Sequence, residues 1–385
     1  MSLPVVLESL GGRDVIWEPW FDAILTLVAV TLIMTLLVFF LIWWERKLVG
    51  RLQMRLGPMR TGPYGSLQSI ADAIKLVAKE DVRPATADRW VFEFAPYFAF
   101  VPIFMAFLAL PITDDGFVRN IPLGLFYIVA ITGLNIVGFV MAGFGSDNKY
   151  ALLGGVRAGA QLISYEIPLI LSLVAVAMVD QTLNLGAMIE AQDEVPYLVL
   201  MPMAFVVFLI AGMAELHRQP FDMPVGESEV VGGALVEYSG IRWGIFFLGE
   251  YCSVLVISAL GAIIFMGGWI WPYSGSDLPR GLELIYQVAL FSAKTFFLIC
   301  AIFWLRATLP RLRIDQLMAY CWKVLLPFTF AQILVNGFVV VYDLPDVFFM
   351  LFSGALLAGL AYVTYMSVRR PGSLRSRRLV YARSS

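Results

Sequence analysis

The chain has 385 residues, 60% of them hydrophobic and 15% charged, with a mean hydropathy of +0.80. A water-soluble domain of this length does not need so much apolar surface, which excludes soluble enzymes and nucleic-acid-binding proteins. The formal net charge of −2 says little; the placement of the charges says much.

Nine apolar runs are each long enough, at about 20 residues, to cross a hydrocarbon layer roughly 30 Å thick. They cover roughly 23–44, 92–111, 121–143, 161–179, 197–215, 243–267, 284–305, 324–342 and 347–367. Lipid cannot satisfy a free backbone N–H or C=O, so each run is predicted to be a helix. The expected fold is all-α: a polytopic transmembrane bundle forming one membrane domain over 1–385. The opening stretch "MSLPVVLESLGGRDVIWEPW" lacks a basic n-region and a small-residue cleavage site, so the first span is expected to be retained.

The connections differ sharply in charge. Loops 45–91, 144–160, 216–242 and 306–323, with the tail 368–385, hold 23 of the 27 Lys and Arg residues. Cytoplasmic loops collect such residues, so the N-terminus is expected outside and the C-terminus inside. Loop 45–91 opens with the basic, Gly- and Pro-rich "ERKLVGRLQMRLGPMRTGPYG" and continues into "SLQSIADAIKLVAKED". There Leu67, Ile70, Ala71, Ile74, Val77 and Ala78 recur at helical spacing, predicting an amphipathic helix that lies on lipid, meets a neighbouring protein or caps the bundle. The tail "RRPGSLRSRR" reads as an anchor for anionic lipid or as a solvated tail. Cys252, Cys300 and Cys321 are scattered, without metal or iron–sulfur spacing, and no glycine-rich nucleotide fingerprint is present. No metal site and no redox cofactor is expected on this chain.

Three spans carry ionisable groups well inside their ends: Glu166, Glu250 and Lys294. Each such charge costs roughly 2.5–3.5 kcal/mol on insertion scales, so it must face protein or water. The alternative is a neutralised structural pair of Lys294 with Glu250 or Glu166, but one lysine cannot neutralise the acids around it. Glu215 ends the fifth run, and Asp222, Glu227, Glu229 and Glu237 follow in loop 216–242. Like charges about 4 Å apart repel by ~4 kcal/mol at an effective dielectric near 20, which couples their titrations. A row of such carboxylates entering a bilayer is what a proton path requires. Pro220 and Pro224 fit this, since a regular helix would turn the acids towards lipid. Basic groups gather at the same helix ends: Arg46, Lys47, Arg51, Arg55, Arg157, Arg306, Arg311 and Arg313. Positive-inside topology accounts for most of them; otherwise they offset the acids or meet an anionic or carbonyl-bearing ligand. His217, the single histidine, reads as a loop residue and not as a ligand.

Six stretches, in order, carry a resemblance: "ERKLVGRLQMRLGPMRTGP", "IADAIKLVAKED", "KYALLGGVRAGAQLISYE", "AELHRQPFDMPVGESEVVGG", "EYSG" and "WLRATLPRLRIDQLM" with "WKVLLP". Together they resemble the family of H subunits of bacterial NADH-quinone oxidoreductase (respiratory complex I), also called the NADH dehydrogenase subunit 1 family. The resemblance implies a component of an inner-membrane translocase that forms a quinone chamber with the peripheral arm and couples quinone reduction to proton translocation. It implies quinone-site roles for Arg46, Gln53 and Arg55, and places Lys149, Tyr150, Arg157, Arg306 and Arg311 among the basic and polar groups near the quinone path. Glu166, Glu215, Asp222, Glu227, Glu229, Glu237 and Glu250 match the family's acidic funnel; Lys294 joins this proton path on the strength of its intramembrane charge. No residue is expected to be catalytic in its own right. The substrate is a quinone, ubiquinone or menaquinone, while FMN and iron–sulfur clusters reside in partner subunits. Expected partners are the peripheral quinone-module subunits, small membrane-arm subunits and antiporter-like subunits. Val225, His217 and Met59 depart from the family's usual residues, and the ninth span and basic tail extend beyond its eight-helix core. Rival readings are the related membrane component of an energy-converting hydrogenase and a self-sufficient secondary transporter.

Overall fold

The structure, a computed structural model, describes residues 19–114, 121–223, 226–272 and 279–369. The expectations for the opening segment, for Pro224 and Val225 and for the basic tail beyond residue 369 lie outside the described residues. The described chain is helical, without strands. Its longer helices are α1 (Pro19–Leu52), α2 (Gln68–Ala78), α3 (Arg89–Ala106), α4 (Gly124–Gly145), α5 (Lys149–Asp180), α6 (Pro202–Glu215), α7 (Gly240–Met266), α8 (Arg280–Thr308), α9 (Ile314–Val341) and α10 (Val347–Arg369). Eight of them, all but α2 and α6, are long and apolar enough to cross a membrane.

The fifth apolar run is shorter than expected because it is broken. Tyr197–Leu200 forms one turn, Met201 is non-helical (φ −129°, ψ 59°), and Pro202 starts α6. Fourteen residues rise about 21 Å, short of a ~30 Å layer. A break inside an apolar bundle must still satisfy its backbone. Here the Met203 N–H donates to Ser353 Oγ at 3.1 Å, and the buried Asn336 amide reaches Ala175 O and Met201 Sδ. A similar repair serves α5, where Pro168 lacks the N–H that would reach the carbonyl of Ser164. That carbonyl accepts from Cys321 Sγ at 3.0 Å instead, which ties α9 to α5.

Two helices form the centre. α5 packs against α4, α6 and α9, and α7 packs against α1, α2, α3 and α8. Without a hydrophobic drive between helices in lipid, close approach depends on small residues. A methyl group on Gly138 would strike the Ala99 backbone of α3, and one on Gly143 would strike Ala151 and Gly155 of α5. Helix α4 itself breaks at Leu134, into Gly124–Gly133 and Asn135–Gly145.

The polar connections meet at one end of the bundle. Asp88 N donates to Gly145 O, Val82 N to Ser239 Oγ and Leu312 N to Pro220 O. The amphipathic helix forms as the spacing predicts, seated on α1 and α7, with Ile70, Ile74 and Val77 exposed.

Candidate functional site

Near its polar end α1 turns Glu45, Arg46 and Val49 into a cavity of about 720 Å³, with Gln53 and Arg55 just beyond the helix. The opposite wall comes from Arg218 and Gln219 of the acidic loop, Phe247 and Tyr251 of α7, and Arg306 of α8. Glu45 is 4% exposed and lies between two guanidiniums: it pairs with Arg306 and, at 3.4 Å, with Arg218. Arg218 lies over the Tyr251 ring, 4.5 Å from its centre. Its Nε and Nη2 are buried and have no hydrogen-bond partner among the described residues. Arg46 adds an ion pair to Asp72 of α2 at 2.7 Å. Burial acts to raise the Asp72 carboxyl, but the hydrogen bond and charge of Arg46, with Gln68 and Lys75, hold it below the usual range. Four guanidiniums against one carboxylate make the lining electropositive. Fixed N–H forks of this kind suit a ligand that presents carbonyl or anionic oxygens.

A second, much smaller chamber lies behind that wall. It is bounded by Glu215, His217, Phe246, Glu250, Ser253 and Asn135, among others. Three pairs of neighbours in sequence divide between the two spaces: His217 and Arg218, Phe246 and Phe247, Glu250 and Tyr251. The first residue of each pair lines the small chamber and the second lines the large cavity. On α7 this follows from helical geometry, since 246 and 250 share one face and 247 and 251 the next.

The acids form a row from this wall. Glu250 interacts electrostatically with Arg218 and Asp222, and Glu215 with Glu166. Gln161 fixes the register, donating to Ala214 O and Phe221 O at 2.7 Å each, which holds the end of α6 and the following loop against α5. Glu166 lies against Gly133 at the break in α4, where a methyl group would meet its Oε1 at 2.5 Å. His217 is buried beside Phe139. Burial, then the charge of Arg218, push its imidazole down to about 4, so it is neutral near pH 7.

Arg46, Gln53, Arg55 and Arg306 thus meet at the large cavity, and Glu166, Glu215, Asp222 and Glu250 line up behind it. The other predicted residues lie elsewhere. Arg157 pairs with Glu229 at 2.8 Å, and Arg311 lays its guanidinium against Gly226 of the acidic loop. Glu237 accepts from the Asn148 amide at 2.6 Å, beside Lys149, whose ammonium sits 5.3 Å from the Tyr150 ring. Lys149 lines a separate surface groove with Thr86, Asp88 and Asp147. The side chain of Glu227 lies outside the described residues. Lys294 donates to Met266 O and Gly268 O, at 2.6 and 2.7 Å, capping the far end of α7. Sixteen residues separate Glu250 from Met266, about 24 Å of helix.

Sequence reasoning missed Glu45, Arg218, Tyr251 and Asn135 as site residues. Glu45 was visible as the lone acid opening "ERKLVGR", Asn135 as a lone amide inside the run "ITGLNIVGF". For Arg218 and Tyr251 no local signal separates them from other loop and span residues.

The chain is similar to known proteins over most of its length. A family model described as NADH dehydrogenase matches residues 25–337. The NADH-quinone oxidoreductase H subunit of Dehalococcoides mccartyi (strain CBDB1) is 44% identical over 328 residues, 85% of this chain and 89% of that protein. The protein of the same name from Brevibacillus brevis is 42% identical over 327 residues, 84% and 96% of the two chains. The one from Paraburkholderia xenovorans is 40% identical over 352 residues, 88% and 97%.

Proposed function

The chain belongs to the NADH dehydrogenase family, as an H subunit of the NADH-quinone oxidoreductase type, and from that premise we propose how its two cavities divide the work. It is a multi-pass membrane component of an oxidoreductase complex that reduces quinone, and other subunits of that complex are its partners. The large cavity receives the quinone head, entering from lipid, with Arg46, Arg55, Arg218 and Arg306 directed at its oxygens and Gln53 at the mouth. Electrons come from an iron–sulfur centre of a peripheral partner, fed through that partner arm's FMN. The polar end, with the acidic loop 216–242 and the amphipathic helix of loop 45–91, faces the cytoplasm and docks that arm.

Reduction converts a quinone, two electrons and two protons into a quinol. Each electron that arrives before its proton places negative charge on the ring oxygens, between guanidiniums that already carry positive charge. Arg218 is the element that feels this change on one side and faces Glu250 on the other. Protons then redistribute along Asp222, Glu250, Glu215 and Glu166 towards the pumping subunits. Moving one charge against 100 mV costs about 2.3 kcal/mol, a scale that buried charges can supply. Glu229 and Glu237, paired with Arg157 and Asn148, hold the loop beneath this row, as does Arg311 against Gly226, while Lys149 and Tyr150 lie beside the Asn148–Glu237 pair. Lys294 is assigned to capping α7.

One observation carries the reading: consecutive residues of α7 and of the acidic loop line the basic cavity and the acidic chamber in turn, so a charge change in one is felt at once in the other. Glu215→Gln in the assembled complex keeps shape and burial and removes the titrating proton. Quinone-linked turnover is expected to be lost with assembly intact. Normal turnover and pumping in that variant would sink the carboxylate row.

A further inference from the structure

We infer that a groove at the polar end of α1 holds a phospholipid with an anionic headgroup, its phosphate on Lys47 and Arg51 and its acyl chains along the apolar face of the same helix. The groove has a volume of about 430 Å³. Its walls include Trp43, Trp44, Lys47 and Arg51 of α1 and Tyr64 and Ser66 of the loop beyond. It shares no lining residue with the large cavity. Val49 of the cavity points about 160° away from Lys47 and from Arg51 on a helix, so the two spaces lie on opposite faces of α1. A ligand in this groove is therefore distinct from the quinone.

Depth along α1 selects the ligand. The apolar run 23–44 rises about 33 Å, close to a hydrocarbon layer of roughly 30 Å. Trp43 and Trp44 thus stand where that layer ends, the level at which aromatic rings collect. Lys47 and Arg51 follow about one and two turns later, at the depth of lipid phosphates. On the hydrocarbon side of the groove, Ile33, Leu36, Leu37 and Phe40 recur at helical spacing on the same face and are all exposed. One strip of the helix offers apolar surface, then indole rings, then two cations. A phospholipid presents its chains, interface and headgroup in that order.

Charge points the same way. Arg46, Arg157, Arg218, Arg242 and Arg306 each pair with a carboxylate, whereas neither Lys47 nor Arg51 does among the described residues. No carboxylate lines the groove. Lys47 Nζ reaches Met59 Sδ at 3.0 Å, and a thioether is a weak acceptor for an ammonium. The loop wall is held in place for a purpose other than packing. Trp43 Nε1 donates to Tyr64 O at 3.3 Å, and Tyr64 is kept in the left-handed region (φ 53°, ψ 24°) while 74% exposed. A bulky residue adopts that conformation at a cost, and such strain gathers at ligand clamps. Tyr64 and Ser66 add hydroxyl donors to the two cations. Arginine meets phosphate oxygens with paired N–H bonds and lysine meets them as a point charge, and both are drawn to anionic lipid at the membrane surface.

The test counts lipid on the assembled oxidoreductase. The complex is placed in phosphatidylcholine nanodiscs containing phosphatidylglycerol, re-extracted in mild detergent, and its retained lipid read by native mass spectrometry. The parent is expected to keep phosphatidylglycerol in preference to phosphatidylcholine. Lys47→Gln combined with Arg51→Gln is expected to keep one phosphatidylglycerol fewer per complex, and Lys47→Arg to match the parent. Lys323→Gln removes an exposed cation of α9 that lies outside the groove, and it too is expected to match the parent. Equal retention in the parent and the double variant overturns the proposal, leaving the two cations as topology signals. An equal loss with Lys323→Gln also overturns it, since the lipid would then sit on a diffuse basic surface. Displacement of the lipid by excess inorganic phosphate would make this a simple anion site and would count against it as well. A high-resolution map of the parent complex is expected to show a phosphate between Lys47 and Arg51 with chains running along Phe40 and Leu36. A map with another subunit's side chains filling the groove sinks the idea, and that map decides alone should the double variant fail to assemble.

Discussion

The large cavity spans about 720 Å³ and is lined by four guanidiniums around one carboxylate, while the chamber behind its wall spans about 10 Å³ and is lined by two carboxyls, an amide and an imidazole. The same short pieces of chain, 217–218 and 246–251, supply wall to both. What differs is how charge is treated. In the large cavity charge is kept fixed: Glu45 lies between Arg218 and Arg306, and arginine does not titrate in the physiological range. In the small chamber every charged state can be exchanged for a neutral one by moving a proton. A binding space needs a constant field, and a transfer space needs groups that can change. The wall keeps these demands apart over the width of one side chain.

The largest effect is expected from removing the fixed carboxylate. Glu45→Ala removes the carboxylate between Arg218 and Arg306, and breaking a buried ion network by one partner costs about 3–5 kcal/mol. The complex is expected to lose assembly or melt markedly earlier, read by native gel and thermal inactivation. Parent-like stability would mean that the basic cavity is not held together as described. Changing pH tests the other side of the wall. His217 has its folded value pushed down to about 4 from an ordinary 6.5. Between those values the unfolded chain binds a proton that the folded chain refuses, so stability falls as pH drops from about 6.5 to 4 and is unaffected above. The full loss is about 3 kcal/mol, and His217→Asn is expected to flatten that part of the pH–stability curve. A curve of equal slope in both proteins would show that the imidazole is not held neutral.

A smaller effect follows from Arg218→Leu, because Glu45 keeps Arg306. The substitution removes the guanidinium proposed to meet the quinone oxygens, and a hydrogen bond to a charged group contributes about 1.5–3 kcal/mol. The quinone KM is expected to rise roughly 10- to 100-fold. An unchanged KM would move the quinone head out of this cavity.

Much of the fold was legible because lipid imposes a simple rule: a long apolar run has no option but helix. The exceptions are where another residue repairs the backbone. The break at Met201 depends on Ser353, which takes the Met203 N–H from 150 positions away in sequence, so no local pattern announces it. The acid row could be read because carboxylates inside apolar runs stand out, and its gathering at one end followed from the order of the loops. Glu45 and Arg218 could not be assigned, since a charged residue at a helix end looks the same whether it faces water or a buried partner. The division of 250 from 251 between two spaces needs the position of α7 relative to the loop, which only packing decides.

Lys294 is where sequence and structure pull hardest in different directions, and its substitution makes the smallest of these predictions. An intramembrane lysine reads as functional, yet its ammonium is used up by two carbonyls at the end of α7, where a cation complements the last turn. It is about 24 Å along that helix from Glu250, with the whole of the buried segment 251–265 between them. Lys294→Met keeps the length of the side chain and gives up those bonds, so stability is expected to drop by about 1–2 kcal/mol. Turnover and protons moved per electron are expected to stay at parent values in whatever fraction remains folded. A stable variant that had lost its pumping would extend the transfer path to the opposite end of α7, and the contrast between a fixed cavity and one exchanging chamber would no longer describe this molecule.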